Sequence, residues 1–190
     1  MINLNLQDYK GYYSTISGIT KKNTDANGTT YLPVTEDFSA PLWMKDPITG
    51  KDAYMAEQLC NGKSYIAIKD DTYTEENPIL IVRVFNSEGI IEDKKVNVNN
   101  VDPKNADFLE MYAYSAYLEN SGKVPDAHNY FMSAVFDEEM GNDFSTNKGI
   151  ASIKKNYLNL VKEYMELQLE TGMYEPYLAI KKLYDFMNSN

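Results

Sequence analysis

The sequence predicts an α+β fold: a small antiparallel β-meander packed against a C-terminal layer of about four helices that includes an αα-hairpin. Three observations predict it. Runs rich in Ile and Val, bounded by turn residues, cluster between residues 64 and 98. From residue 103 onward, apolar residues recur at helical spacing. The last two helical runs are separated only by a short break at Gly172, a separation that makes neighbouring helices antiparallel. A chain of 190 residues can bury about 70% of its unfolded surface, enough for a core without covalent staples.

Taken in order, residues 1–45 read as a loop-rich N-terminal segment, rich in Gly, Ser, Thr, Asn and Tyr, with a short strand pair, and 46–190 as the α+β domain. The turn at Asp46-Pro47-Ile48-Thr49-Gly50 leads into a predicted short helix over 52–59, stopped by Asn61-Gly62 with Cys60 at its end. Strands are predicted over 64–69, 79–85 and 90–98. In the last of these, Val96 and Val98 alternate with Asn97 and Asn99, giving one buried and one wet face.

Asp102-Pro103 reads as an N-cap followed by a proline at the first helical position. The helix it opens should run to about Glu119 and stop at Asn120-Ser121-Gly122. Apolar nearly all round, it should be the central one. A second helix is predicted over 125–136. A third repeats Ile150, Ile153, Tyr157, Leu160, Tyr164 and Leu167, and a fourth Met173, Tyr177, Ile180, Tyr184 and Met187, with Pro176 in its first turn. Lys155, Asn159, Lys162, Glu163, Glu166 and Glu170 lie off this stripe and should face water.

The stretch from Val96-Asn97-Val98-Asn99-Asn100-Val101-Asp102-Pro103-Lys104-Asn105-Ala106 through Leu109-Glu110-Met111 and Ala113 resembles an element of uncharacterised proteins of Clostridia-type bacteria. The resemblance covers about twenty residues and implies no activity and no site residue.

Composition narrows the function classes. The formal charge of -10 is spread along the chain, with 14 acids and 10 bases in residues 1–100 and 14 and 8 in the rest. A negative field disfavours nucleic acid and anionic membrane surfaces as partners, and Arg83 is the single arginine, so bidentate phosphate recognition is nearly absent. The start, Met1-Ile2-Asn3-Leu4-Asn5-Leu6-Gln7-Asp8, lacks a basic region and a long apolar run, so cytoplasmic residence is the expectation. The apolar run Ile79 to Val82 is far too short to span a bilayer.

No motif amounts to a catalytic signature. Phosphate-cradling glycine loops, a Gly-x-Ser-x-Gly elbow and a Rossmann fingerprint are all missing from the sequence. One cysteine, Cys60, and one histidine, His128, could form a thiol dyad oriented by Asp126 or Asn129. A cysteine at a helix C-terminus would have a raised thiol pKa, however, and a buried Cys60 with a polar His128 at a helix start is the plainer reading. The loop Asn23-Thr24-Asp25-Ala26-Asn27-Gly28 resembles half of a calcium loop, but Asn stands at its first position and Val34 where the bidentate Glu belongs; a plain Asn-Gly turn is preferred.

Asp137-Glu138-Glu139 and Asp143 read as a solvated loop where the second helix should end, with a cluster held by a cation or a basic partner as the alternative, and Asp70, Asp71, Glu75 and Glu76 as a solvated hairpin turn. No catalytic residue, metal ligand or cofactor is assigned.

What remains is 16 tyrosines and 9 methionines, many in the helical half, more hydroxyls than a compact core readily satisfies. Tyr and Met are enriched at protein interfaces. The expectation is a non-enzymatic interaction or accessory module that presents Tyr157, Tyr164, Tyr177 and Tyr184 to another protein or to its own copy. The alternative is a hydrolase-like enzyme with a carboxylate or Cys/His site between sheet and helices.

Overall fold

The computed structural model describes residues 23–24, 30–31, 45–46, 48–58, 63–86, 89–141 and 153–189. Two short strands, β1 (Asn23–Thr24) and β2 (Thr30–Tyr31), pair antiparallel. A four-stranded antiparallel sheet follows in the order β3 (Met55–Gln58), β4 (Ser64–Lys69), β5 (Ile79–Asn86), β6 (Gly89–Asn97). Among the described residues four α-helices follow: α1 (Phe108–Asn120), α2 (Ala127–Gly141), α3 (Tyr157–Glu170) and α4 (Tyr174–Ser189). The α+β architecture is as the sequence predicts. The three Ile/Val-rich strands stand within a residue or two of their expected limits.

Strand alternation decides which side chains meet the helices. Tyr65 and Ala67 of β4, Leu80, Val82 and Val84 of β5, and Val96 of β6 point into the main core. Ile66, Ile68 and Phe85 line the other face with Ala53, Ala56 and Ile81. The opposition of successive side chains follows from the pleat.

Helix α1 packs against β4, β5 and β6 on one side and α2 on the other. Ten of its thirteen residues are buried, as its all-round apolarity predicts. Aromatic contacts run across the layers: Tyr65 meets Phe108 edge-on at 5.5 Å, Phe108 stacks on Phe131 at 6.0 Å, and Phe131 meets Tyr157 at 5.7 Å.

Four predicted elements are corrected. The helix expected over 52–59 is replaced, in the described residues 52–58, by backbone that completes the edge of the sheet. Met55–Gln58 pairs with β4, and the Tyr54 N–H donates to the Ala67 carbonyl at 2.7 Å. Helical propensity in Met-Ala-Glu-Gln is a weak preference that such pairing overrides.

Helix α1 starts at Phe108 and not at Pro103. Ala106 and Lys155 exchange two backbone hydrogen bonds, of 3.2 and 2.7 Å, which holds residue 106 extended. Asp107 is then the N-cap: its carboxylate accepts from the Glu110 N–H, and the Glu110 carboxylate accepts from the Asp107 N–H, completing a capping box. Asp102 instead shapes a turn, accepting from the Lys104 N–H.

Helix α2 continues to Gly141, so Asp137, Glu138 and Glu139 belong to the helix and not to a loop after it; Asp143 lies outside the described residues. Helix α3 starts at Tyr157, where Asn156 accepts from the Asn159 N–H. Ile153 is therefore outside the helix and exposed, and Ile150 lies outside the described residues. The αα-hairpin itself is present, with α3 packed on α4 and Gly172 at φ +75° ending α3.

The cap of α1 is tied to the sheet by Lys94, which donates to both Asp107 and Glu110. Burial would lower the Lys94 pKa, but hydrogen bonds to these two carboxylates outweigh it and the pKa is raised. Asp107→Ala should destabilise the fold by about 2 kcal/mol, combining a lost cap with a lost partner for a half-buried ammonium. Asp107→Asn, which keeps the acceptor, should recover about half of that in urea denaturation; equal losses for the two variants would show that the cap contributes nothing.

Candidate functional site

The four tyrosines expected to form a surface are placed differently from one another. Tyr157 is fully buried and packed on Phe131, so it belongs to the core. Tyr164, Tyr177 and Tyr184 are half-buried against that core. The reason lies in the phase of α3. The chain carries two interleaved stripes, Tyr157, Leu160, Tyr164, Leu167 and Leu158, Val161, Met165, the second continued by the polar Gln168. Docking on the core buries the second stripe together with Tyr157. The first stripe is left half-covered at Leu160 and Tyr164 and bare at Leu167.

That phase leaves apolar side chains in water at one end of the hairpin. Leu167 and Leu169 in the last turn of α3, Met173 in the connection, and Tyr174 and Leu178 in the first turns of α4 are 42 to 65% exposed. Only Ile48 and Ile153 share this property among the other described residues. Isolated exposed hydrophobics are ordinary, but five within twelve residues that span a tight turn form a local concentration. Tyr174 and Leu178 are four apart on one helix and so share a face. Glu166, Glu170 and Glu175 rim this end, and all are exposed.

Two buried polar centres lie elsewhere. His128, at the start of α2, has Nδ1 2.9 Å from the Ser115 hydroxyl, and its ring stands edge-on to Tyr112 at 4.6 Å. Its Nε2 is 3.3 Å from the Glu57 carboxylate without hydrogen-bond alignment. Its backbone N–H donates to Glu119. These contacts link α1, α2 and β3.

The serine, histidine and carboxylate follow one another as in a nucleophilic relay, but both Ser115 and His128 are 1% exposed, which leaves no approach for a substrate. The groups that meet the His128 ring are Ser115, Tyr112 and Glu57, not Asp126 or Asn129, and Cys60 lies outside the described residues.

The second centre sits on the far face of the sheet. Arg83 donates from Nη1 to both oxygens of the buried Asp46, at 2.6 and 2.7 Å, and from Nη2 to Asp93 at 2.9 Å. Asp46 also accepts from the N–H groups of Ile48 and Thr49, which shapes the turn before the sheet. The single arginine is thus committed to a structural ion pair.

In the turn between β4 and β5, Asp70 is similarly occupied. Asp70 accepts from the Thr72 hydroxyl and N–H and from Lys95, which together lower its pKa to about 2. Asn23–Thr24 pairs with Thr30–Tyr31, and the turn expected at Asn27-Gly28 lies outside the described residues. Among the described residues no group of three His, Cys, Asp or Glu side chains is placed to hold a metal ion. No described helix is long and apolar enough to cross a membrane.

No protein-family model matches the chain, no curated protein matches it, and no solved structure matches it.

Burial alone would raise the Asp46 pKa, but hydrogen bonds from Thr49, Arg83 and Ile48 outweigh it and the pKa is lowered. A lowered folded-state pKa contributes stability that is present above the unfolded value, about 3.9, and is lost as pH falls through the folded value. Asp46→Asn should therefore cost about 3 kcal/mol at pH 7 by leaving Arg83 incompletely paired. Urea midpoints measured from pH 7 to pH 3 should fall less steeply for this variant below about pH 4; parallel profiles would remove Asp46 from the acid response.

Proposed function

We propose that the chain is a non-enzymatic protein-interaction module that docks a partner on the apolar end of the α3–α4 hairpin. The supporting observation is the set of five exposed side chains there: Leu167, Leu169, Met173, Tyr174 and Leu178. Folding has not used them, although the hairpin buries Ile180, Leu183 and Met187 a little further along α4. Leu, Met and Tyr together supply area, adaptability and one polar handle, a combination suited to a binding face. Tyr164, Tyr177 and Tyr184 are half-buried against the core and are not among these five.

The module reading is tested with Leu167→Ser combined with Leu178→Ser, two exposed positions where the substitution should change stability by less than about 0.5 kcal/mol. The full chain should retain a stoichiometric partner in affinity capture from cells of its source. The purified pair should bind, and the double variant should weaken binding by about 100-fold, as loss of two central apolar contacts does. Binding unchanged in the double variant would move the docking face elsewhere.

A further inference from the structure

We infer that the partner docking on this end of the hairpin presents a basic, amphipathic segment, an inference that rests on the docking reading above. From Glu163 to Ile180 the chain carries four glutamates and no lysine or arginine. The nearest cations on either side are already engaged within their own helices, Lys162 with Glu166 at 3.4 Å and Lys181 with Asp185 at 2.6 Å. Glu163 accepts from the Asn159 side chain at 2.6 Å. Glu170 and Glu175 are exposed and have no ion-pair partner among the described residues. The apolar patch is therefore bounded by two uncompensated carboxylates.

Their positions differ in a way that matters. Glu175 lies in the first turn of α4, where the helix dipole favours an anion. Glu170 is the last residue of α3, where the dipole opposes an anion, and no basic residue stands in that turn. A cation brought by the partner beside Glu170 would relieve this locally unfavourable placement. Apolar side chains flanked by acidic ones on a helical surface fit a segment with Leu, Met or Phe at helical spacing and Lys or Arg beside them. Such an interface gains on-rate and specificity from its charges and most of its affinity from the apolar contacts.

The test uses the full chain and three synthetic helix-forming peptides of about 18 residues, with leucine at the same helical positions and Lys, Gln or Glu between them. Binding is read by calorimetry at low and high salt, with the oligomeric state of the chain read by sedimentation. The Lys peptide should bind about ten-fold more tightly than the Gln peptide, and the Glu peptide should not bind detectably. Glu170→Gln with Glu175→Gln should weaken the Lys peptide about five-fold, and high salt should erase the difference. Asp52→Asn with Glu76→Gln, which removes two exposed carboxylates elsewhere, should leave it unchanged.

Equal affinity for the Lys and Gln peptides would overturn the basic-partner inference and leave the docking site standing, as would a Lys peptide indifferent to the Glu170 and Glu175 changes. Failure of all three peptides, with a dimer that Leu167→Ser and Leu178→Ser dissociate, would make a second copy the occupant and also overturn it. Failure of all three with a monomeric chain would overturn both the inference and the docking reading.

Discussion

The structure depends on one constraint: a helix buried on nearly every side must have its polar groups satisfied by its neighbours. Helix α1 has the sheet beneath it and α2 above it, so water cannot solvate its first N–H groups or its hydroxyls. Asp107 and Glu110 close its N-terminus. The Tyr112 hydroxyl donates to the Tyr65 carbonyl of the sheet, and Ser115 meets His128 of α2. The last two bonds each satisfy a buried group and also fix a neighbouring layer, so α1 sets the position of both.

The same logic accounts for the charged groups that fold inward. Arg83 and Asp46 hold the chain before β3 against the far face of the sheet, and Lys94 joins β6 to the cap of α1. Carboxylates outnumber cations in this chain, and Asp46, Asp70 and Asp107, which have cationic partners, sit where layers or turns meet. At the end of the α3–α4 hairpin Glu170 and Glu175 have no such partner among the described residues, and apolar side chains are also left over. An end that lacks both apolar cover and charge compensation is where the fold is least complete by itself.

Much of the architecture was legible in the sequence, because strand and helix patterns are local. Ile and Val runs fixed β4 to β6, all-round apolarity marked α1 as central, and Gly172 marked the hairpin. The errors arose where tertiary contact outweighed local preference. Met55–Gln58 reads as helix but completes a sheet edge, and Asp102-Pro103 reads as a cap although the bridge from Ala106 to Lys155 delays the helix to Phe108. The candidate site was missed by one step of phase on α3. Two apolar stripes compete there, and only docking against the core determines that Tyr157 goes inward while Leu167 stays out. Asn156 is a good N-cap, but Asn147 and Ser152 offer the same capping chemistry beside Ile150, so local sequence does not choose the start.

The bridge between Ala106 and Lys155 ties together points that lie far apart along the chain, with α1 and α2 enclosed between them. Its two backbone bonds act as a noncovalent clasp on a long loop. Closing a loop of this length costs chain entropy that grows only logarithmically with length, so a few well-made hydrogen bonds at the neck can offset much of it once the enclosed helices have packed. The start of α3 is thereby anchored beside the start of α1, with the Leu158 N–H donating to the Pro103 carbonyl. The hairpin is consequently built outward from this fixed root to the turn at Gly172, the point of the pair most distant along the chain from either anchor.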